Sequence, residues 1–364
     1  MLAENYRDLL KSVKINAVAI DVLALDSRRR FSGYSSIYLW VLRRIPWLWR
    51  WLYYNWHKVP GINWWRQRML PKRFRRTRDL LTTMTPKLII STHPIATAAI
   101  DYLKRLGRLK APFWVAISDW HIQPFWLFPN VDCYLVPTHL QKLEVEQIAI
   151  PRSKIIVTGM LLRETYYRPI DQKEARAQLK LPSSAGLIVV MGGGCGWGLK
   201  RILKGLTKLE ARLIVIAGSA ERQVQIQSYL QRHTYYQHVE VLGFVDPLPY
   251  LAAADLVVTK PGGLSTAEAL HLRKPLILVE PVPGQEEENL RILRKHGICS
   301  ATSSNELERF AKKILESRNV GGSKPLGLDS IASDTTPQVV LENICGVLKR
   351  KPPSDCANIL SNIP

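Results

Sequence analysis

The chain has 364 residues, 51 Lys and Arg against 30 Asp and Glu, a formal charge of +21 and an apolar share of 46%. That balance excludes a disordered or fibrous chain, leaves room for two domains with full cores, and asks for an anionic partner: phosphorylated substrate, nucleic acid or an anionic membrane surface. Five scattered cysteines, odd in number and without a CxxC pair, argue against a disulfide framework or a zinc site and fit a reducing cytoplasm.

The opening MLAENYRDLLKSVK is too polar for a signal peptide. Residues 2–12 predict a short amphipathic helix with Leu2, Tyr6, Leu9 and Leu10 on one side, and Ile15 to Ile20 predicts a strand ending at Asp21. An α/β domain normally opens with strand, glycine loop and then helix. Here the helix comes first.

Between Ser27 and Arg78 the composition changes, with fourteen Lys and Arg and no acidic residue. Seven of the eleven tryptophans lie between Trp40 and Trp65. Residues 36–56 match a membrane span in length, but Arg43, Arg44 and Arg50 lie inside the run and Pro46 interrupts it. Charges at mid-bilayer cost several kcal/mol each, so a span is not expected. Trp and Tyr favour the headgroup region, and each base near an anionic surface contributes about 1 kcal/mol. The expectation is therefore a basic aromatic insertion over 27–78 touching anionic membrane lipids through Arg43, Arg44, Trp47, Trp49, Arg50 and Trp51. The plainer alternative is two packed helices with core aromatics and arginines in water. Single-stranded nucleic acid also suits basic and aromatic residues together, but no nucleic-acid motif accompanies them and none is expected to bind.

Four predicted strands follow: Pro86 to Ile90, Phe113 to Ile117, Val131 to Val136 and Lys154 to Val157, alternating with helices at the spacing of a parallel sheet. His93, Asp119 and His121 would share one rim of that sheet. A lone His after a strand is more often structural than catalytic; two with an Asp are candidates for acid–base work. Residues 163–185 read as linker and entry to a second domain. That domain opens with Leu187 to Met191 and a loop of five glycines in seven residues, Gly192 to Gly198, including Gly193 and Gly194. It fits neither a Walker loop nor GxGxxG. Further strands are predicted at Arg212 to Ala217 and Val239 to Leu242. Phe244 after the latter suits stacking on a base or ordinary packing.

The most informative stretch is Asp255 to Asn289. Strand residues Leu256 to Val258 run into Lys260-Pro261-Gly262-Gly263, a helix begins at Leu264-Ser265-Thr266 with Glu268 in its first turn, strand Pro275 to Val279 follows, and a polar turn runs from Pro281 to Glu286. Ligands of open α/β sheets bind at the carboxyl ends of the strands, where a Gly-Gly turn lets amides and a helix N-terminus approach an anion. Residues 319–337 read as loose, 338–350 as a last amphipathic helix, and the rest as a tail.

KPGGLSTAEAL (260–270), PVPGQEEEN (281–289), GFVDPLPYLAAAD (243–255) and MGGGCGWG (191–198) resemble the C-terminal domain of glycosyltransferase family 28. PKLIISTHPIATAA (86–99), SDW (118–120), PFW (124–126) and VTGM (157–160) resemble its branch of monogalactosyldiacylglycerol synthases and processive diacylglycerol glucosyltransferases. The resemblance implies a GT-B fold of two Rossmann-like domains facing each other across a cleft: an acceptor and membrane-facing domain over 1–162, a UDP-sugar domain over 186–318, and 319–364 beyond. It implies inverting, metal-independent transfer of glucose or galactose from UDP-glucose or UDP-galactose to diacylglycerol, without a cofactor, at the cytoplasmic face of the cell membrane.

Carried to this chain, Phe244 lies by the uracil and Glu268 by the ribose, while Gly193, Gly194, Gly262, Gly263, Ser265 and Thr266 surround the diphosphate. Gln285 and Glu286 hold sugar hydroxyls, and Asn289 supports their loop. His93 and Asp119 are the candidate bases, and His121 and Trp126 face the acceptor. The family's first strand and Gly-His loop have no counterpart before Ala3. On that ground an inactive protein binding UDP-sugar or a lipid surface stays open, and a polyprenyl-linked acceptor is a separate alternative.

Overall fold

The computed structural model describes residues 1–26, 40–42, 44–55, 58–59, 61, 64, 72, 74–147, 150–168, 170–182, 185–192, 198–206, 208–232, 238–318 and 337–349. Arg43, Gly193 and Gly194, most of the expected insertion, the segment expected to be loose and the tail lie outside them. The chain forms two compact units. The first comprises Met1–Glu164, Pro283–Gln285 and the last helix, and the second runs from Thr165 to Val282 and onward from Glu286.

In the first unit the helices are α1 (Leu2–Ser12), α2 (Val22–Asp26), α3 (Pro46–Asn55), α4 (Arg75–Met84), α5 (Pro94–Arg105) and α6 (His139–Gln147). The strands are β1 (Ile89–Ser91), β2 (Phe113–Ala116), β3 (Cys133–Val136) and β4 (Ile155–Val157), all parallel in the order β1-β2-β3-β4. Buried on both faces, β2 and β3 show no polar alternation, as expected for strands covered by helices. Phe113, Val115, Tyr134 and Val136 pack with Ile100 and Leu103 of α5 and with Trp126 in the core.

The predicted strand at Ile15 to Ile20 is not one. The chain leaves α1 through a left-handed Lys14, with Ile15 N bonded to Leu10 O at 2.9 Å, and continues without joining a ladder among the described residues. An apolar run becomes a strand only where a neighbour supplies the other half of each backbone hydrogen bond, and Val18 stays exposed.

Asp26 closes the following excursion at its base. Its Oδ1 accepts from Arg76 N at 2.9 Å, and its Oδ2 accepts from Thr77 N at 3.1 Å and Thr77 Oγ1 at 2.6 Å. The free amides of the first turn of α4 are thereby satisfied by a residue about fifty positions earlier, which brings the two ends of the basic segment together.

The second unit contains α7 (Gln172–Gln178), β5 (Leu187–Met191), α8 (Leu199–Leu206), β6 (Arg212–Ile216), α9 (Ala220–Gln231), β7 (Val239–Leu242), α10 (Leu248–Ala253) and β8 (Leu256–Thr259). It continues through α11 (Gly263–His271), β9 (Leu276–Leu278), α12 (Gln285–Lys295), β10 (Cys299–Ser300) and α13 (Ser304–Arg318), and α14 (Pro337–Val347) then returns to the first unit. The sheet is parallel throughout, ordered β10-β9-β8-β5-β6-β7. The strand order reverses beside β5, so β5 and β8 flank the switch point where such sheets bind ligands.

Candidate active site

At the carboxyl end of β8 the chain turns through Lys260, Pro261 and Gly262 into α11. Gly262 N donates to Lys260 O at 2.8 Å, and Gly262 is the N-cap residue with no side-chain cap. The first amides of α11 lack intrahelical partners by geometry, so this end of the helix presents free donors and a partial positive charge. Thr266 is fully buried with its hydroxyl turned toward Lys260 O at 3.5 Å, which takes it away from solvent. Ser265 stays half-exposed. Because α11 begins at Gly263, Glu268 falls in its second turn, where it is buried.

The polar turn expected over Pro281 to Glu286 ends sooner. Helix α12 begins at Gln285, so Gln285, Glu286 and Asn289 occupy its first two turns. Three consecutive acids, Glu286, Glu287 and Glu288, at a helix N-terminus favour that start. Asn289 is fully buried and its Nδ2 donates to Pro261 O at 3.0 Å, fastening α12 to the β8–α11 turn. Glu286 Oε1 lies 2.9 Å from Lys260 Nζ, and its Oε2 accepts from Val282 N at 2.8 Å. The same Oε1 is 3.9 Å from where a Cβ on Gly262 would stand.

Gly192 ends β5. A Cβ there would approach Leu199 Cδ1 to 2.6 Å, so glycine lets α8 pack against the strand end. Gly198 (φ +76°) faces Glu280, whose own left-handed backbone (φ 49°) places its carboxylate 3.3 Å from Arg201 Nη1. At the edge strand β7, Phe244 follows the carboxyl end and is 82% exposed.

In the first unit His93 caps α5. Its Nδ1 accepts from Ile95 N at 3.2 Å. With Nδ1 used as acceptor, the neutral ring carries its proton on Nε2 and offers a donor to whatever lies in front of it. The ring is exposed, yet surrounding protein still lowers its pKa, against the opposing pull of Asp21, and this favours the neutral form. In this geometry His93, one of the two candidate bases, carries its proton on Nε2.

Asp119 is buried. Its Oδ2 accepts from Trp126 Nε1 at 3.2 Å and its Oδ1 from Gln285 Nε2 at 2.6 Å, while Gln141 Nε2 donates to its carbonyl. Trp126, expected to face an acceptor, is instead a core residue that aims Asp119, because a buried indole N–H needs a partner. His121 Nδ1 lies 3.5 Å from Glu144 Oε2, which also accepts from Ile122 N at 3.3 Å.

On α3, Arg44 precedes an outward stripe of Trp47, Arg50, Trp51 and Tyr54, all exposed. Trp49 lies off that stripe and is half-buried. Among the described residues, no helix is long and apolar enough to cross a membrane, and no group of three or more His, Cys, Asp or Glu could hold a metal ion.

Lys260 and Glu280 escaped the sequence reading. A lysine directly after a buried apolar strand is a signal in principle, since its charge needs a partner. Glu280 offers no such signal.

A family profile described as monogalactosyldiacylglycerol (MGDG) synthase matches residues 3–161, and one described as the glycosyltransferase family 28 C-terminal domain matches residues 187–323. The chain belongs to glycosyltransferase family 28. Within that family it is 26% identical over 281 residues to a processive diacylglycerol beta-glucosyltransferase of Bacillus pumilus, covering 74% of this chain and 71% of the relative. To the protein of the same description from Bacillus cereus strain B4264 it is 27% identical over 243 residues, covering 65% and 61%.

Among solved structures, HepE of Anabaena in complex with UDP and glucose superposes with a TM-score of 0.53 at 15% identity, over 76% of this chain and 81% of that one. The sucrose-phosphate synthase of Thermosynechococcus elongatus gives 0.53 at 15%, over 77% of each. These likenesses concern the fold. The two α/β units of this family 28 chain are the Rossmann-like halves of a GT-B fold.

Proposed function

We propose that this chain transfers a hexosyl group, glucose first, from a UDP-sugar to the hydroxyl of diacylglycerol at a membrane surface. The observation that carries the donor half is the uncapped N-terminus of α11 at the sheet's switch point, with Glu286 beside it. Free amides and the helix dipole stabilise a leaving diphosphate without a metal. Three strand spacings, roughly 14 Å, separate β7 from β8. A uracil on exposed Phe244 would therefore leave the diphosphate within reach of Gly262, Gly263 and Ser265. Glu268 is the ribose partner in this reading. Gln285 and Glu286 take sugar hydroxyls, for which carboxylate and amide provide paired bonds.

The relatives' description supplies the acceptor and the β product. A β-linked product from an α-linked donor means inversion. The acceptor oxygen bonds to the anomeric carbon, the bond to the diphosphate breaks with its electrons leaving on UDP, and the acceptor proton passes to a base. Asp119 is that base in our reading, aimed by Trp126 and Gln285, while His93 donates through Nε2. The stripe on α3 rests on the membrane, the aromatics at headgroup depth and the arginines on lipid phosphates.

Purified protein with radiolabelled UDP-glucose or UDP-galactose and diacylglycerol-containing vesicles is expected to label a glycolipid separable by thin-layer chromatography. Label reaching a polyprenyl-phosphate-linked sugar and not diacylglycerol would overturn the acceptor. No lipid labelling at all, with UDP still bound, would overturn the enzyme.

A further inference from the structure

Lys260 is buried, and its ammonium meets Glu286 Oε1 at 2.9 Å. An ion pair withdrawn from water is costly to form and is weak evidence of a stability role, so its position matters more than its existence. It sits under the turn that opens α11. Glu286 Oε1 is 3.9 Å from the Cβ position of Gly262, where an anion bound to the helix end would lie. A bare carboxylate there would repel a diphosphate, yet a carboxylate is the side chain that grips sugar hydroxyls with two acceptors. Glu286 Oε2 is meanwhile fixed by Val282 N at 2.8 Å, so the carboxylate cannot swing away without losing that bond.

We propose that Lys260 is a charge-compensating positioning residue that lets a sugar-binding carboxylate stand beside a diphosphate. The proposal rests on the donor-site reading above and adds to it the group that reconciles its two opposed requirements. Lys260 acts through Glu286, cancelling its field at the α11 terminus while holding it in place for the sugar.

Titration calorimetry with UDP as the probe tests this on the full chain, using wild type, K260M, E286Q and K260M/E286Q. Expected are a tenfold or greater loss of UDP affinity in K260M, a change within threefold in E286Q, and a double variant within threefold of E286Q. Recovery of UDP affinity in the double variant is the readout that a merely structural defect would not give. A double variant as weak as K260M, or K260M binding UDP like wild type, would overturn the proposal. Should K260M not fold, K260R decides: it keeps the charge and is expected to bind UDP within threefold, and a tenfold loss with unchanged thermal melting counts against us. Wild type binding no UDP would instead bring down the donor-site reading itself.

Discussion

Arg176 and Asp255 form a buried ion pair, Arg176 Nη2 on Asp255 Oδ2, at the amino ends of β5 and β8. The same Oδ2 accepts from Leu187 N at 2.8 Å, Oδ1 accepts from Gln172 Nε2 at 3.0 Å, and Arg176 Nε donates to Ala253 O at 3.0 Å. One aspartate thus joins helix α7 to two strands. It lies at the opposite end of β8 from Lys260, so it is a structural residue. D255A removes the carboxylate opposite the buried Arg176 charge, and breaking such a pair costs about 3–5 kcal/mol. Urea unfolding is expected to show a loss of that size, with UDP affinity of the folded protein unchanged. A loss below about 1 kcal/mol, the scale of an exposed pair, would remove Asp255 from this role.

Two histidines set the response to acid. Burial is the main cause lowering His93 and His271 below the ordinary histidine range, although both keep ring surface in water. The unfolded chain then binds more protons than the folded one between the lowered values and about 6.5. Their contribution is complete above pH 6.5 and is lost as pH falls through the folded values. The slope should be shallow, because water screens both rings. Urea midpoints at pH 7.5, 6.5 and 5.5 are expected to fall less steeply in H93N/H271Q than in wild type. Parallel curves would assign the acid response to other groups.

Lys274 predicts the opposite limb. Its Nζ donates to Ala252 O at 2.6 Å and Ala254 O at 3.2 Å, and burial pulls its pKa down to about 8 despite Asp255 nearby. Between pH 8 and about 10.5 the unfolded lysine holds a proton that the folded one has released, so stability rises with pH across that window. K274M should flatten the rise. The measurement is the difference in unfolding free energy between pH 8 and 10 for the two proteins, and an unchanged slope refutes the assignment.

The stripe on α3 separates a membrane contact from a packed helix. Trp47 and Trp51 are 70% and 51% exposed, in line with Arg50 and Tyr54, whereas Trp49 is half-buried. W47A/W51A is expected to lose at least tenfold in partitioning to anionic vesicles in a flotation assay, with thermal melting unchanged. W49A should do the reverse, destabilising the fold and leaving partitioning intact. Equal flotation of wild type and W47A/W51A would restore the reading of an ordinary solvated face.

Much of the second unit was legible because strands such as β5 and β9 are buried on both faces and read as short unbroken apolar runs. Leu187–Met191 has the bounds that its composition predicts, and so does the half-buried edge strand Val239–Leu242. The first unit was less legible. Ile15 to Ile20 has strand composition and no strand partner, a fact of the surrounding sheet rather than of the segment. The start of α12 was misplaced because Gly284 (φ +84°) and the prolines before it spoke for a longer turn than the acids after it allow. The Lys260–Glu286 pair joins residues 26 apart. Nothing local in either residue announces the other.

Phe244 gives the last prediction. An aromatic side chain 82% exposed at the carboxyl end of β7 contributes little to folding, so its removal should leave stability nearly unchanged. Base–aromatic stacking is worth about 1–3 kcal/mol per base. F244A is therefore expected to weaken UDP binding by about fivefold to a hundredfold, which follows from the same stacking range. Inorganic pyrophosphate, which has no base to stack, should compete with UDP at the α11 terminus equally well in both proteins. That contrast isolates the base contact from the anion contact. If F244A binds UDP as wild type does, Phe244 is a surface residue, and the nucleobase must be sought elsewhere along the rim of the second sheet.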